Sequence, residues 1–261
     1  MSTTAYTATS VFRYRWLIYE LVLRDLRVRY RGSVLGLAWT LLNPLLFMGI
    51  YTLVFSVYFR VHITHYSLFL LAGLVPWTWF SGALLQATSA ILDGRLYIGK
   101  TLFPTEALII VPVLSNAVNF LLSLPILLLF ALAFGVHWGA PLIMLPLLIL
   151  IELIIVTALA FLAATLNVFY RDLQQLVGYL LTVFFYMTPI FYVRTMVPEK
   201  YQALILWNPL AALVAAYQAV LYSNTFPRLS DVAFALVFAL FALALAVGTY
   251  RRLRESFTQY I

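Results

Sequence analysis

Residues 201–227 read YQALILWNPLAALVAAYQAVLYSNTFP, an uncharged run from Tyr201 to Pro227. It is long enough for a helix of roughly 20 residues to cross about 30 Å of hydrocarbon. Whether it crosses decides the fold. Trp207-Asn208-Pro209 stands near its middle, and proline removes a backbone donor and clashes with the preceding turn. The run therefore divides into two pieces of about half a bilayer each.

The rest of the chain supplies the topology against which this run is judged. Charge-free stretches of membrane length are Ser33–Phe59, Tyr66–Leu92, Ala107–Val136, Pro141–Tyr170, Leu173–Val193 and Val232–Tyr250, the fourth interrupted only by Glu152. With six spans and the N-terminus inside, Arg13, Arg15, Arg24, Arg27, Arg29, Arg31, Arg95, Lys100, Arg171, Arg251, Arg252 and Arg254 face the cytoplasm. Only Arg60, Arg194, Lys200 and Arg228 fall outside, as the positive-inside bias requires. A seventh crossing would turn the RRLR tail outward. Residues 201–227 are therefore expected to form a re-entrant pair of half-helices within an outer region 197–227, packed on protein or lining a wet cavity.

Composition agrees. The 261 residues are 64% apolar and 10% charged, with mean hydropathy +0.99, where soluble domains carry about 25% charged residues. The net charge of +7 sits in short clusters between apolar runs and reads as a topology signal, so nucleic acid is not an expected partner. The absence of cysteine excludes disulfides and thiolate metal sites. The N-terminus lacks a signal-peptide core and cleavage site, and its first residues are expected to be a cytoplasmic start.

Residues 1–31 combine that start with an amphipathic interfacial helix. Phe12, Trp16, Tyr19, Leu23, Leu26 and Tyr30 recur at spacings of four and three and predict one apolar face. Arg13, Glu20, Arg24, Arg27 and Arg31 occupy another side, with Glu20/Arg24 and Asp25/Arg29 at ion-pairing distance along a helix. Such a helix lies in the membrane interface, with its basic side toward headgroups.

One motif points elsewhere. Gly94–Thr101, GRLYIGKT, fits the phosphate-cradling pattern of nucleotide hydrolases, which needs a preceding buried strand and a following helix. Here the preceding residues form a membrane helix, no soluble Asp follows to hold magnesium, and no cytoplasmic stretch is long enough for a sheet. Nucleotide binding by this chain is not expected.

RDLRVRYRGSVLGLAWTLLNPLL (Arg24–Leu46) resembles the N-terminal signature of the membrane subunits of ABC exporters for polysaccharides of the O-antigen, capsule and teichoic-acid type. LNVFYRDL (Leu166–Leu173), TPI (Thr188–Ile190) and WNPL (Trp207–Leu210) resemble that family's later motifs, in the same order. The resemblance implies a homodimer of this subunit with two copies of a separate cytoplasmic ATPase. It implies a channel between the membrane subunits for a lipid-linked glycan, at the bacterial inner membrane and in contact with its lipids. ATP and magnesium would be held by the ATPase, with no cofactor on this chain. The loop 93–106 would be a coupling helix seated in the ATPase. Lys100, Phe103, Pro104 and Glu106 match the family's K-x-x-F-P-x-E, with Arg95 and Tyr97 alongside, while Leu96-Tyr97-Ile98 replaces a common Asn-Leu-Ile.

Other candidates can be weighed on this frame. Tyr170, Arg171 and Asp172, at the turn between spans four and five, either mark the membrane edge as a local ion pair or help hold the inner mouth or the ATPase contact together with Arg24 and Asp25. Glu152 is the one carboxylate well inside a span and should face the bundle or water; a proton relay would need a second embedded ionisable group, which the sequence does not offer. Tyr51, Phe55, Tyr58 and Phe59 on span one, and Phe184, Phe185, Tyr186, Phe191 and Tyr192 on span five, cluster toward the outer half. Aromatic faces stack on the C–H faces of sugars, which suits a conduit for a repetitive glycan. Many other aromatics belong to interfacial belts. His62, His65 and His137 fall in outer loops without enough companions for zinc.

The expected fold is thus an all-α integral membrane protein. An N-terminal interfacial helix precedes a six-span domain over 32–250, with the re-entrant pair before the last span and a cytoplasmic tail at 251–261. The expected function is transport and not enzymatic, with a drug or small-lipid exporter on the same scaffold as the alternative. An integral-membrane sugar transferase would need a surface acidic cluster for a divalent metal, and the nine scattered carboxylates do not form one.

Overall fold

The computed structural model describes residues 14–95, 103–136 and 139–260, and among these it contains helices and turns but no strand. The main helices are α1 (Arg15–Tyr30), α2 (Trp39–Tyr51), α3 (Tyr66–Asp93), α4 (Thr105–Ala133), α5 (Leu145–Phe169), α6 (Leu173–Met187), α7 (Glu199–Leu206), α8 (Pro209–Leu221), α9 (Leu229–Leu253) and α10 (Phe257–Tyr260). A π-helical segment, Thr52–Tyr58, continues α2.

Among the described residues, four stretches are long and apolar enough to cross a membrane: Tyr66–Asp93, Thr105–Ala133, Ala140–Phe169 and Leu229–Ser256. A fifth is reached only if α7 and α8 count as one span, and these two are bent by 91° at Trp207-Asn208. The break read from the sequence is therefore real. Two expected spans are shorter than their charge-free runs. Over Ser33–Phe59, Gly32 and Gly36 take φ of 76° and 50°, left-handed values that glycine alone adopts without strain, so α2 begins only at Trp39. Over Leu173–Val193, α6 ends at Met187 after 15 residues. Pro189 disfavours helix at the residue before it, and Thr188 is extended at φ −91°, ψ 133°.

The core is organised around α3. Leu68 to Val75 are buried without interruption, and α3 packs against α2, α4, α5, α6 and α8. Helix α9, packed on α5, presents Ala235, Ala239, Ala242 and Ala246 at spacings of four, three and four, all buried, and Ala242 and Ala246 cluster with Ala158 of α5. Small residues at such a seam let two backbones approach where lipid gives no hydrophobic driving force. Pro44 lies inside α2 and leaves the Thr40 carbonyl without its helical donor. The Ser123 hydroxyl from α4 lies 3.4 Å from that carbonyl, although its proton has a nearer acceptor in the Asn119 carbonyl at 2.9 Å.

On α1 the residues packed on the bundle differ from the aromatic ones of the stripe. The face packed on the bundle is Ile18 and Val22 with Leu26, set against Phe103, Ala107, Ile110 and Leu114. Trp16 and Tyr19 are instead 70% and 54% exposed, and Phe12 lies outside the described residues.

Contacts define two ends. At the basic end α1, the start of α4, the α5–α6 turn and the tail come together. At the far end the Tyr222 hydroxyl donates to the Thr64 carbonyl at 2.7 Å, and the Gly139 amide donates to Asn224 Oδ1 at 3.0 Å. There Arg194 donates to both carboxylate oxygens of Asp231 at 3.0 Å and to the Ala211 carbonyl at 3.2 Å. The clasp joins the segment after α6 to α8 and α9.

Candidate functional site

The aromatic candidates assemble around a residue between α6 and α7. The ring of Phe191 stacks on Phe55 at 5.0 Å and lies 6.1 Å from Tyr51, 5.3 Å from Phe185, 5.7 Å from Tyr186 and 5.5 Å from Tyr192. Tyr51 also meets Phe185 at 5.8 Å, and Phe55 stacks on Phe59 at 5.6 Å. Seven of the nine aromatics singled out on spans one and five thus belong to one cluster. Phe184 and Tyr58 stand apart from these ring contacts, and Tyr58 is 71% exposed.

Backbone geometry explains the convergence. Tyr51, Phe55 and Phe59 recur every four residues through the π-helical segment and share one side. The segment after α6 is folded back and held: the Tyr66 hydroxyl donates to the Phe191 carbonyl at 2.9 Å. Asn208 donates to the Thr188 hydroxyl at 3.2 Å while its own Oδ1 accepts from the Leu210 amide at 3.0 Å, capping α8. The Gln218 amide donates to the Pro189 carbonyl at 3.0 Å. The TPI and WNPL motifs are therefore two halves of one buried contact.

Beside this cluster lies a groove of about 450 Å³ between α2, α3 and α6, with Tyr51, Trp77, Phe185 and Tyr186 on one wall and Thr78, Ser81 and Thr182 on another. Trp77 was not expected. Its ring is 5.6 Å from Phe185, but a tryptophan within an uninterrupted apolar helix reads as core until the neighbouring helix is placed. Phe47, 6.1 Å from Tyr51, was missed for the same reason.

In the loop 93–106, Tyr97 and Lys100 lie outside the described residues. The part that is described accounts for the rest of the motif. Gly94 follows a helix, not a strand, and a Cβ there would stand 2.5 Å from Leu108 Cδ1 and 3.0 Å from the Ala90 carbonyl. This glycine lets the end of α3 close on α4. Arg95 is exposed. Phe103 packs among Ile18, Val22 and Ala107, and Pro104 opens α4. Thr105 and Tyr250 share a hydrogen bond of 2.6 Å between hydroxyls. Glu106 is only 7% exposed and lies 3.6 Å from Arg254. The Phe-Pro-x-Glu half of the motif faces inward and fastens the base of the loop to α1 and to the tail.

Arg24 and Asp25 border a cavity of about 520 Å³ with Arg29, Gln86 and Asp93. Asp25 pairs with Arg29 at 2.9 Å, the predicted i,i+4 pair. Arg171 and Asp172 do not join them: both are exposed at the α5–α6 turn and form no ion pair with another described residue. Across that turn, Asn167 Oδ1 accepts from the Gln174 amide at 3.2 Å. His65 packs its ring 5.0 Å from Phe134, and His137 lies outside the described residues.

Glu152 does face the bundle. It is 1% exposed and adjoins Tyr217 of α8, though neither Glu152 Oε2 nor the Tyr217 hydroxyl completes a hydrogen bond of regular geometry.

Among the described residues, a helical bundle with several membrane-length helices defines a multi-pass membrane protein. The model of the ABC-2 type transporter family matches residues 17–222, and the chain belongs to that family. Among its relatives is the O-antigen export system permease protein RfbA of Myxococcus xanthus, 37% identical over 253 residues, which cover 96% of this chain and 97% of the relative. The protein of the same name from Klebsiella pneumoniae is 33% identical over 80% of this chain and 81% of its own length. The polysialic acid transport protein KpsM of Escherichia coli is 21% identical over 92% of this chain and 94% of its own.

Proposed function

We propose that this chain is the membrane subunit of an ATP-driven exporter that moves a lipid-linked polysaccharide of the O-antigen type across the bacterial inner membrane. The observation that carries the reading is the aromatic groove shared by α2, α3 and α6, on a chain aligned almost end to end with O-antigen permeases. Stacked aromatic faces hold successive sugars without demanding a particular one, which a repetitive cargo needs.

In this reading two copies form the conduit, and each engages one copy of a separate ATPase that holds ATP and magnesium. The short helices α2 and α6 complete six crossings, α2 with its π-helical extension, while α7 and α8 form a re-entrant pair on the outer side. That arrangement leaves both ends of the chain in the cytoplasm, with the basic end of the bundle there. The loop 93–106 then receives the stroke of the ATPase through Arg95, Tyr97 and Lys100, while Phe103, Pro104 and Glu106 pass it to the bundle. Arg24, Asp25, Arg171 and Asp172 border the inner mouth.

Deleting the gene should leave the glycan inside the cell and remove it from the surface, and restoring the chain should return it. The purified full chain should carry an ATPase whose hydrolysis falls when Lys100 is replaced by Ala, with nucleotide binding by the ATPase unchanged. Normal surface glycan in the deletion strain would refute the function.

A further inference from the structure

Below the aromatic groove, α1, α2, α3 and α4 enclose a second cavity of about 470 Å³, whose polar lining includes Arg29, Tyr30, Thr40, Asn43, Asn119 and Ser123. Its size is that of a small-ligand site. It shares Phe47, Thr78 and Ser81 with the aromatic groove, and Arg29 with the cavity bordered by Arg24 and Asp25. The three form one string running from the basic end toward the aromatics.

The charge of the middle cavity is cancelled in place. Arg29 is the one ionised residue among those lining it, and it is already committed. Nη2 donates to Asp25 at 2.9 Å and to Gln86 at 2.7 Å, and Nη1 donates to Asn116 Oδ1 at 3.3 Å. A phosphate would need a cation that is not neutralised. What the cavity offers instead is hydroxyls, carboxamides and ring faces. Tyr30 and Thr40 share a hydrogen bond of 2.6 Å, and Asn119 Oδ1 accepts from Tyr30 at 3.3 Å. The Asn119 Nδ2 group, and the whole exposed amide of Asn43, have no hydrogen-bond partner among the described residues. An amide in mid-helix at membrane depth is costly unless it faces a wet cavity.

We infer that this cavity binds an uncharged sugar residue of the cargo before it reaches the aromatic groove, with the Asn43 and Asn119 amides reading its hydroxyls. The inference rests on the polysaccharide reading above. The Arg29–Asp25 pair is a positioning device that orients Asn116 and Gln86 and keeps the cavity neutral.

The test uses the full chain with its ATPase in nanodiscs, titrated with lipid-free oligosaccharide released from the host's own exported polysaccharide. Inorganic pyrophosphate serves as the competing anion. Asn43→Ala and Asn119→Ala should each weaken oligosaccharide binding several-fold, and together roughly tenfold or more, as loss of one to two hydrogen bonds predicts. Assembly with the ATPase and basal hydrolysis should stay unchanged. Asn43 is exposed and has no hydrogen-bond partner among the described residues, so its replacement breaks no bond within the subunit and remains informative if Asn119→Ala fails to fold. Wild-type binding by the Asn43 variant, or displacement of the oligosaccharide by pyrophosphate, would overturn the sugar site while leaving the export function intact. If the unaltered complex binds no oligosaccharide and deletion leaves surface glycan unchanged, both readings fall together.

Discussion

Asn208 shows how much one side chain carries here. It caps α8 through Leu210 and donates to the buried Thr188 across 20 positions of sequence. Replacing an Asn cap by Ala typically costs about 1 kcal/mol, and leaving a buried hydroxyl short of a partner adds about 1 kcal/mol or more. Asn208→Ala should therefore lower the thermal midpoint of the purified protein by several degrees, while Leu210→Met, which keeps both bonds, should not. Both asparagine and threonine stood out as motif residues in the sequence; their contact did not, because no local spacing encodes an approach between segments separated by α7. Glu152 was legible in a different way, since a lone acid in an apolar run must turn inward, and it does. A buried carboxyl with only Tyr217 beside it fits a structural role. Glu152→Gln keeps its shape and should support export within about twofold of the native rate, whereas abolition of export with normal protein levels would restore a proton-transfer role.

Among the elements, α3, α4, α5 and α9 could be read directly, because twenty or more residues without charge leave little choice of structure in a bilayer. The ends of α2 and α6 could not. They depend on left-handed glycines, on Pro189 and on the π-helical segment, all of which act on backbone geometry without altering hydropathy. The same geometry sharpens the expectation for the aromatics. Tyr51→Ala and Tyr186→Ala should each slow glycan export several-fold in a pulse-chase assay, and Tyr58→Ala should slow it less, since only the first two line the groove. Equal effects at all three positions would show that the cluster does not define the path. At the basic end, Glu106→Arg should lower export and ATPase stimulation by placing two cations together. Adding Arg254→Glu should restore much of both, as a double-mutant cycle would measure.

On the scale of the whole molecule, the outward faces of α2 and α6 are conspicuous. Leu46, Phe47, Ile50 and Leu53 of α2 with its π-helical extension, and Leu176, Tyr179, Leu180 and Val183 of α6, are all exposed. Both helices are shorter than a bilayer, and both border the groove. A second copy packed across them would cover these faces and close the groove into a conduit. Native mass spectrometry of the complex should then find two copies of this chain with two of the ATPase, and cysteines placed at Ile50 and Val183 should form cross-links between copies. A complex with a single copy would leave the groove open to lipid and refute this arrangement.

The fastening at the base of the loop 93–106 has a mechanical meaning. Thr105 is bonded to Tyr250, Glu106 is paired with Arg254, and Phe103 is seated on α1. The first turn of α4, the last turn of α9 and the middle of α1 thus behave as a single joint. Were the loop 93–106 the seat of the ATPase, as proposed above, a push on it would reach α1, α4 and α9 together. Under that reading the fastening would turn a displacement of the loop into a tilt of the bundle, as a lever tilts about its fulcrum.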